Sequence, residues 1–198
     1  MSDHDPNSPL IECVPNISEG RDQQKISQIV AAATAVPGVR CLDVDSGSDT
    51  HRTVITLVGA PKPMAEAAFQ LVRKASELID MSQHQGAHAR HGATDVCPFI
   101  PVSGATMDDC IEVAKAVGKR IGEELEIPVY MYDRAALRED RRSLADVRRG
   151  EYEALAEKMQ DPDWVPDFGP AEFKPGPGVV TVGAREFLIA YNVNLNTR

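Results

Sequence analysis

Residues 39–58, VRCLDVDSGSDTHRTVITLV, determine the expected fold of the chain. Both ends of this stretch are rich in β-branched and aliphatic residues, which favour strands. The polar segment 45–51 between them is rich in Asp, Ser and Gly, which favour turns. The stretch therefore predicts two antiparallel strands joined by a polar loop.

Helical patterns flank this pair of strands on both sides. Apolar residues recur at helical spacing before it, and a second helix is expected to begin after Pro61. In chain order, the other expected strands are 10–14, 95–102 and 128–132, and a third helix follows Thr106. This order predicts an α+β fold of the split βαβ (ferredoxin-like) kind, with a mixed or antiparallel sheet and helices packed on one face.

The last third of the chain is less regular. Segment 138–158 is charged and is expected to be mostly helical, whereas segment 161–178 holds five prolines and is expected to be a long ordered loop or a linker. Segment 186–195 alternates apolar and more polar residues, which predicts a final strand. No helix follows that strand, so we expect a fold that is cut short.

The composition limits the classes of function. The 198 residues are 42% hydrophobic and 26% charged, as in soluble globular proteins, and no apolar run approaches the ~18 residues of a membrane span. A net charge of −9 disfavours binding to nucleic acid and to anionic membranes. Four cysteines without a C-x-x-C pair, Cys13, Cys41, Cys97 and Cys110, are expected to be reduced thiols. We therefore expect a cytoplasmic protein that binds neither nucleic acid nor membrane.

Segment 80–94 is the strongest candidate for chemistry, because three of the five histidines lie within 84–91. A histidine in a glycine-containing loop suits proton transfer near neutral pH. The spacing of His84, His88 and His91 also resembles a zinc site, but Gly86 and Gly92 disfavour the helix that such a site needs. A solvated loop without function is the third interpretation.

Two other segments could contribute to a site. Asp43 and Asp45 are expected on the same side of a strand, where a carboxylate could orient an imidazole or hold a cationic group, although capping of the local turn is an equal alternative. Residues 13–16 followed by 18–20 could form an anion-binding turn before a helix.

A group of arginines and an aromatic segment remain open to two interpretations each. The arginines could attract an anionic ligand, but pairing with Glu139, Asp140 and Asp146 on a solvated face is favoured. Segment 164–173 could stack an aromatic ring or serve as a surface brace. The arginines concerned are Arg134, Arg138, Arg141, Arg142, Arg148 and Arg149.

Taken together, several motifs resemble the glutamate formiminotransferase family, which forms the N-terminal part of formiminotransferase-cyclodeaminase. They occur in order over nearly the whole chain from Leu10, so they are more specific than any one of them alone. The motifs are IECVPNISEG (11–20), LDVD (42–45) with Arg52-Thr53, LIDM (78–81), GAH (86–88), DVCPFIPV (95–102), GEYEAL (150–155), DW (163–164), PDFGP (166–170), and GAR (183–185) with FLIA (187–190).

The resemblance implies a function and a set of site residues. It implies transfer of a formimino group from N-formimino-L-glutamate to tetrahydrofolate in histidine breakdown, with tetrahydrofolate as co-substrate and without a metal. The family's catalytic histidine corresponds to His88, and His51 and His91 stand where the animal enzymes carry other residues. The folate-contacting stretch corresponds to Phe168, Gly169, Pro170, Ala171, Glu172, Phe173, Lys174, Pro175, Gly176 and Pro177.

The resemblance also implies an architecture of two similar α/β subdomains that face each other across a folate-binding tunnel, usually in a homodimer. We accordingly expect a disordered N-terminus at 1–9, an N-terminal subdomain at 10–182, and a linker with the first strand of an otherwise missing C-terminal subdomain at 183–198. The partner would be a second copy or a separate C-terminal subdomain. The alternative function is a non-catalytic folate-binding or assembly module, half of a split or truncated enzyme.

Residue type and loop position suggest roles for three side chains. His88 is expected to move a proton when the tetrahedral intermediate forms or collapses. Asp45 would orient His88 or hold the formimino nitrogen, and Arg52 would pair with a carboxylate of the glutamate moiety.

Overall fold

The pair of strands at 39–58 forms as expected, and its neighbours build a ferredoxin-like unit around it. In this computed structural model, which describes residues 8–189, strands β3 (Arg40–Gly47) and β4 (Arg52–Gly59) are antiparallel. β1 (Leu10–Cys13) and β2 (Asn16–Ile17) act as one interrupted strand, since both pair with β4 in a continuous register. On their other side both pair antiparallel with β5 (Thr94–Ser103). The resulting order β3, β4, β1/β2, β5 is that of the split βαβ fold.

Two further strands extend the sheet to seven. β6 (Val129–Asp133) and β7 (Val180–Ala184) are parallel to each other, and β7 is also parallel to β5. The last strand in sequence therefore lies between β5 and β6. The α+β prediction and the mixed sheet are confirmed.

Three long helices cover one face of the sheet. α1 (Gln23–Thr34) starts at Asp22, whose side chain accepts hydrogen bonds from the first helical amides, and α2 (Pro61–Leu78) starts at a proline. α3 (Met107–Glu124) starts with a capping box between Thr106 and Asp109. Their apolar sides pack on the sheet in one continuous core. None of the helices among residues 8–189 is long and apolar enough to cross a membrane.

The second face of the sheet is covered only in part. The short helices α4 (Leu144–Val147) and α5 (Glu151–Lys158) pack on it over β5 and β6, where Tyr130 and Tyr132 join a second apolar cluster. On β3 and β4 this face carries polar or half-buried residues instead. The expectation that helices lie on one face therefore holds for the three long helices, and α4 and α5 are an addition to it.

The strand expected in the last third of the chain needs correction. Strand β7 was not predicted, and 186–189 is not a strand; 190–195 lies outside the described residues. The expected subdomain boundary at 182 stays a prediction, and β7 extends across it to Ala184. Segment 138–158 is helical only in pieces, because a left-handed glycine at Gly150 separates α4 from α5.

Candidate active site

The histidine-rich loop 84–93 is held at both ends by backbone contacts. At its start, the Ala87 amide donates to the Asp49 carbonyl over 3.3 Å. A Cβ on Gly86 would lie only 2.5 Å from the Thr50 carbonyl oxygen, so the close approach of the two loops requires glycine there. At its end, the Ser18 hydroxyl donates to the Gly92 carbonyl over 2.7 Å. The loop is therefore held against two neighbouring segments, while Gln85 and Ala87 on it remain exposed.

His88 is oriented by its own backbone. Its Nδ1 atom lies 2.6 Å from the Ala89 carbonyl oxygen, which can only accept, so we assign the proton to Nδ1. Nε2 is left unprotonated, and no hydrogen bond within residues 8–189 engages it. Burial and then the positive charge of Arg52 lower the pKa of His88, which keeps the ring neutral near pH 7. A half-buried neutral imidazole with a free nitrogen is suited to accept a proton.

Arg52 begins β4 on the partly open face of the sheet. Its Nε atom donates to Oδ1 of Asn16 over 2.8 Å, and its Nη2 atom donates to the same oxygen. Burial lowers the pKa of Arg52, and Asp95 opposes this effect. Arg52 lies close enough to His88 for its charge to lower the pKa of the imidazole.

Asp45 lies farther out, on the edge strand β3 opposite Val54, where it is exposed. It shares the sheet face of Arg52 and interacts weakly with its charge. Among the described residues no hydrogen bond joins Asp45 to His88, and the Ala89 carbonyl holds the ring in its place. The role of Asp45, orienting His88 or holding the formimino nitrogen, therefore stays a prediction.

Asp95 is a buried carboxylate that contacts both the histidine loop and Arg148, and no sequence pattern singled it out. It is 1% exposed, and its Oδ1 accepts the amide of His91 over 3.1 Å while Oδ2 accepts from Nη2 of Arg148. Burial raises the pKa of Asp95, and the contact with Arg148 opposes this change. Its position at the start of the apolar strand DVCPFIPV is the sequence feature that could have identified it, since carboxylates are rarely buried without a partner.

The other three histidines of this region also have lowered pKa values. His51 and His84 stack with ring centroids 4.4 Å apart, and burial lowers the pKa of each. Nε2 of His84 lies 3.0 Å from the His51 carbonyl oxygen, and its Nδ1 accepts from Arg90. His91 is fully buried, and burial lowers its pKa to about 3. Within residues 8–189 no three of His, Cys, Asp and Glu are grouped to hold a metal ion.

The expected anion-binding turn before α1 is already filled by a side chain. Oε1 of Glu19 accepts the amides of Gly20, Arg21 and Asp22 at 2.9–3.0 Å. The amides that could have bound an external anion are therefore occupied by a buried carboxylate, and this alternative is wrong.

The arginines of 134–149 divide into two groups. Arg138, Arg142 and Arg149 pair with Asp140, Glu139 and Asp146 on the surface, as favoured from the sequence. The side chains of Arg141 and Arg148 are instead largely buried. Arg141 is 1% exposed and binds Asp167 over 2.7 Å, and Arg148 binds Asp95.

The segment 168–177 crosses from the far edge of the sheet to the histidine loop. At its start Phe168 packs against the long helices, and Gly169 lies against Gly122 of α3. Its second half approaches the loop: the Pro177 carbonyl accepts from the Ala93 amide over 2.9 Å, and the Gly176 carbonyl accepts from Met81 over 2.8 Å. Within this segment, only the second half is hydrogen-bonded to residues at either end of the histidine loop.

The aromatic side chains of this region form contacts of their own. Phe173 packs against Tyr152 with ring centroids 5.6 Å apart, and the Tyr152 hydroxyl donates to the Pro175 carbonyl over 2.8 Å. A cavity of about 550 Å³ lies alongside, lined by Gln85, Gly86, Arg90, Gly150, Glu151 and Glu153. The histidine loop, α5 and residues 173–177 therefore form one continuous surface.

Comparison with known protein families gives the decisive finding. Residues 10–185 match the formiminotransferase domain, N-terminal subdomain. The chain belongs to this family. The family assignment confirms the resemblance inferred from the sequence motifs, and the matched range ends one residue after β7 of this formiminotransferase subdomain.

Individual relatives are similar over nearly all of this subdomain. Formimidoyltransferase-cyclodeaminase of Mus musculus is 54% identical over 188 residues, which are 95% of this chain and 35% of the mouse protein. Glutamate formimidoyltransferase of Streptococcus pyogenes serotype M1 is 49% identical over 188 residues, which are 63% of that protein. The enzyme of the same name from Thermoplasma acidophilum is 47% identical over 190 residues, 62% of its length. The chain thus spans about a third of the animal relative and less than two thirds of the microbial ones.

Proposed function

We propose that this chain takes part in the transfer of a formimino group from N-formimino-L-glutamate to tetrahydrofolate. The observation that carries the proposal is the state of His88: its Nδ1–H is held by the Ala89 carbonyl, and its Nε2 is free and neutral. The names of the microbial relatives, glutamate formimidoyltransferase, support the same reaction.

The chemistry requires one proton to move between two nitrogens. N5 of tetrahydrofolate attacks the formimino carbon, and the C=N bond becomes single in a tetrahedral intermediate. Nε2 of His88 takes the proton from N5 and returns it to the glutamate nitrogen as the bond from that nitrogen to the formimino carbon breaks. The products are 5-formiminotetrahydrofolate and glutamate. The contact of Nδ1–H with the Ala89 carbonyl favours the transient imidazolium form, because the carbonyl stabilises the added charge.

Arg52 and Asp45 are proposed to bind the formimino donor. Arg52 offers a charged planar group, and a guanidinium matches a carboxylate in geometry. Asp45 is exposed on the same face of the sheet, two residues from the position opposite Arg52. Its carboxylate would hold the formimino nitrogen, which gains positive charge when it is protonated.

Residues 168–177 are proposed to contact the folate. The position of Phe173 beside Tyr152 and of 175–177 beside the histidine loop supports this role for the second half of the segment. Phe168 and Gly169 pack against α3 and the edge strand β6, so their proposed part is to anchor the segment at its start.

We further propose that the active assembly includes a second copy of the chain or a C-terminal formiminotransferase subdomain. The support is the share of the relatives that the chain covers. A cytoplasmic location is inferred with it, since none of the four cysteines forms a disulfide. The alternative function, a folate-binding or assembly module without catalysis, is compatible with the same partial coverage.

The experiment compares three proteins with formiminoglutamate and tetrahydrofolate: the chain alone, the chain with the separately produced C-terminal part of the Streptococcus pyogenes relative, and a chimera joining the two. We expect formation of 5-formiminotetrahydrofolate in at least one assembly and its loss when His88→Ala is introduced there. Folate binding without transfer in all three would support the non-catalytic alternative and contradict the proposed reaction.

A further inference from the structure

Two arginines, Arg52 and Arg148, lie near enough to His88 for their charges to lower its pKa. Their side chains belong to a polar row that crosses three neighbouring strands, from Arg52 on β4 through Asn16 on β2 to Asp95 on β5, and ends at Arg148 after α4. Both guanidinium charges act on His88. Asp95 interacts with both arginines and also fixes the His91 amide, three residues from His88.

Arg148 has hydrogen-bond donors that its contact with Asp95 does not use. It is 15% exposed, and only its Nη2 atom is used in the contact with Asp95. Its Nε atom is buried without a hydrogen-bond partner, and within residues 8–189 no hydrogen bond engages Nη1. An arginine needs several acceptors, and a buried donor left unpaired destabilises the state in which it is unpaired.

The charge around His88 is positive within a negative protein. Arg52 and Arg148 face one buried carboxylate, Asp95, whereas the nearby Glu151 is already shared with Arg90 at 3.2 Å. A ligand that brings negative charge would give a partner to the Nη1 atom of each arginine, which no hydrogen bond within residues 8–189 engages. The formimino donor of the proposed function is a dicarboxylate, and each of its carboxylates can accept two parallel hydrogen bonds from one guanidinium.

We infer that Arg148 is a specificity-determining residue that binds one carboxylate of the formimino donor while Arg52 binds the other. The inference rests on the proposed function and goes further, because it selects dicarboxylate donors over their monoamides. Arg148 keeps its contact with Asp95 through Nη2 and presents Nη1 to the substrate. Asp95 is then a positioning residue, since it acts on the substrate only through Arg148.

The test compares three donors: N-formimino-L-glutamate and its two monoamides, N-formimino-L-glutamine and N-formimino-L-isoglutamine. We expect the active assembly to prefer the dicarboxylate by about ten- to hundredfold in kcat/KM over each amide, the range of a charge-assisted hydrogen bond. In Arg148→Gln the preference over one of the two amides falls to about one, while the preference over the other is kept. Arg149→Gln, the neighbouring exposed arginine, leaves both preferences unchanged.

Two additional variants separate substrate binding from folding. Arg148→Lys keeps a charge against Asp95 and is expected to fold, with a reduced preference for the dicarboxylate because one ammonium group cannot contact Asp95 and the substrate through two separate nitrogens. Arg148→Gln combined with Asp95→Asn removes both charges of the buried pair and is expected to lose the same preference as Arg148→Gln.

Each outcome has a defined meaning. Unchanged preferences in Arg148→Lys and in the double variant would overturn the inference while leaving the proposed function intact, as would a wild-type assembly that does not distinguish the three donors. If no donor reacts, the proposed reaction fails. Calorimetric binding of the three donors then tests the role of Arg148 separately. Equal affinities in wild type and Arg148→Lys, or no binding at all, would overturn the inference.

Discussion

Gly92 and Gly178 form an isolated antiparallel bridge that joins the histidine loop to the end of the segment 168–178. Gly178 has a φ of +65°, and a Cβ on either glycine would collide with backbone atoms of the opposite strand. The two segments approach this closely because neither residue has a side chain. The contact fixes the end of the loop that carries His88 relative to β7.

Gly92→Ala is therefore expected to destabilise the fold. The added methyl group would fall on the Val179 carbonyl, and relief of such an overlap by backbone shifts typically costs about 1–3 kcal/mol. The free energy of unfolding from denaturant titration measures the effect. The control is Gly176→Ala, where no atom lies within 4 Å of the new methyl group. Equal stability of the two variants would contradict the tight bridge.

His88→Ala is expected to lower turnover of the active assembly by roughly 10²–10⁴-fold, the usual contribution of a positioned proton carrier. Folate binding is expected to change little, because the loop is held by Gly86 and Gly92 rather than by the imidazole. Single-turnover kinetics and folate titration measure the two quantities. Lys119→Ala, an exposed position on α3, serves as the control. Turnover within a factor of two of wild type would remove His88 from the reaction.

The pH dependence of kcat/KM is expected to report the lowered pKa of His88. Its pKa lies below the ordinary value near 6.5 because of burial and the charge of Arg52, and the reaction needs the neutral ring. Activity should therefore be lost on the acid side only below about pH 6.5. Arg52→Gln removes the neighbouring charge and is expected to move this midpoint to higher pH, whatever its effect on the maximal rate. A midpoint that falls or stays constant in the variant would argue against this arrangement.

His91 is expected to make stability depend on pH. Its pKa is about 3 in the folded chain and near 6.5 when unfolded, so below about pH 6.5 the unfolded state binds more protons. The contribution of neutral His91 to the free energy of unfolding is complete above about pH 6.5. It decreases by about 1.4 kcal/mol per pH unit as the pH falls toward 3. The free energy of unfolding of wild type and His91→Met, compared between about pH 6 and pH 4, isolates this slope. Parallel curves for the two proteins would show that His91 does not titrate as described.

The buried pair of Arg141 and Asp167 is expected to dominate the stability of the region around β6. Asp167 also accepts the Met131 amide over 2.7 Å, and Arg141 donates to the Val165 carbonyl over 2.7 Å. Arg141→Met would leave a buried carboxylate without its partner, which costs about 3–5 kcal/mol.

The matched control for this pair is Arg142→Met, one residue later. Arg142 is exposed and pairs only with Glu139 on the surface, so its loss should change stability by no more than about 0.5 kcal/mol. Thermal or chemical denaturation of the two variants makes the comparison. Similar small effects at both positions would indicate that the buried pair contributes no net stability.

The sequence was sufficient for the elements whose pattern is local. The three long helices carry regular apolar spacing, and α2 and α3 start at Pro61 and directly after Thr106, where they were expected. Strand β7 was missed because its five residues follow a segment rich in proline and glycine, and their partners β5 and β6 lie about 50 to 80 residues earlier in the chain. Parallel pairing leaves no turn signal in the sequence.

The same distinction applies to the candidate site. His88 could be found from a local cluster of histidines and a family motif, and Arg52 from its place at the head of a strand. The roles of Asn16, Asp95 and Arg148 depend on contacts between residues 36 and 53 positions apart. Contacts of this kind depend on the order of the strands in the sheet, and local sequence patterns do not reveal that order.

The position of β7 has a consequence for how the protein is made. Strands β5 and β6 leave the ribosome before residues 180–184, yet β7 must lie between them. Until then both strands expose unpaired backbone edges, which readily pair with other chains. Partial products that end before Val180 should therefore aggregate, and nascent chains of this length should depend on chaperones until the last strand of the sheet is synthesised.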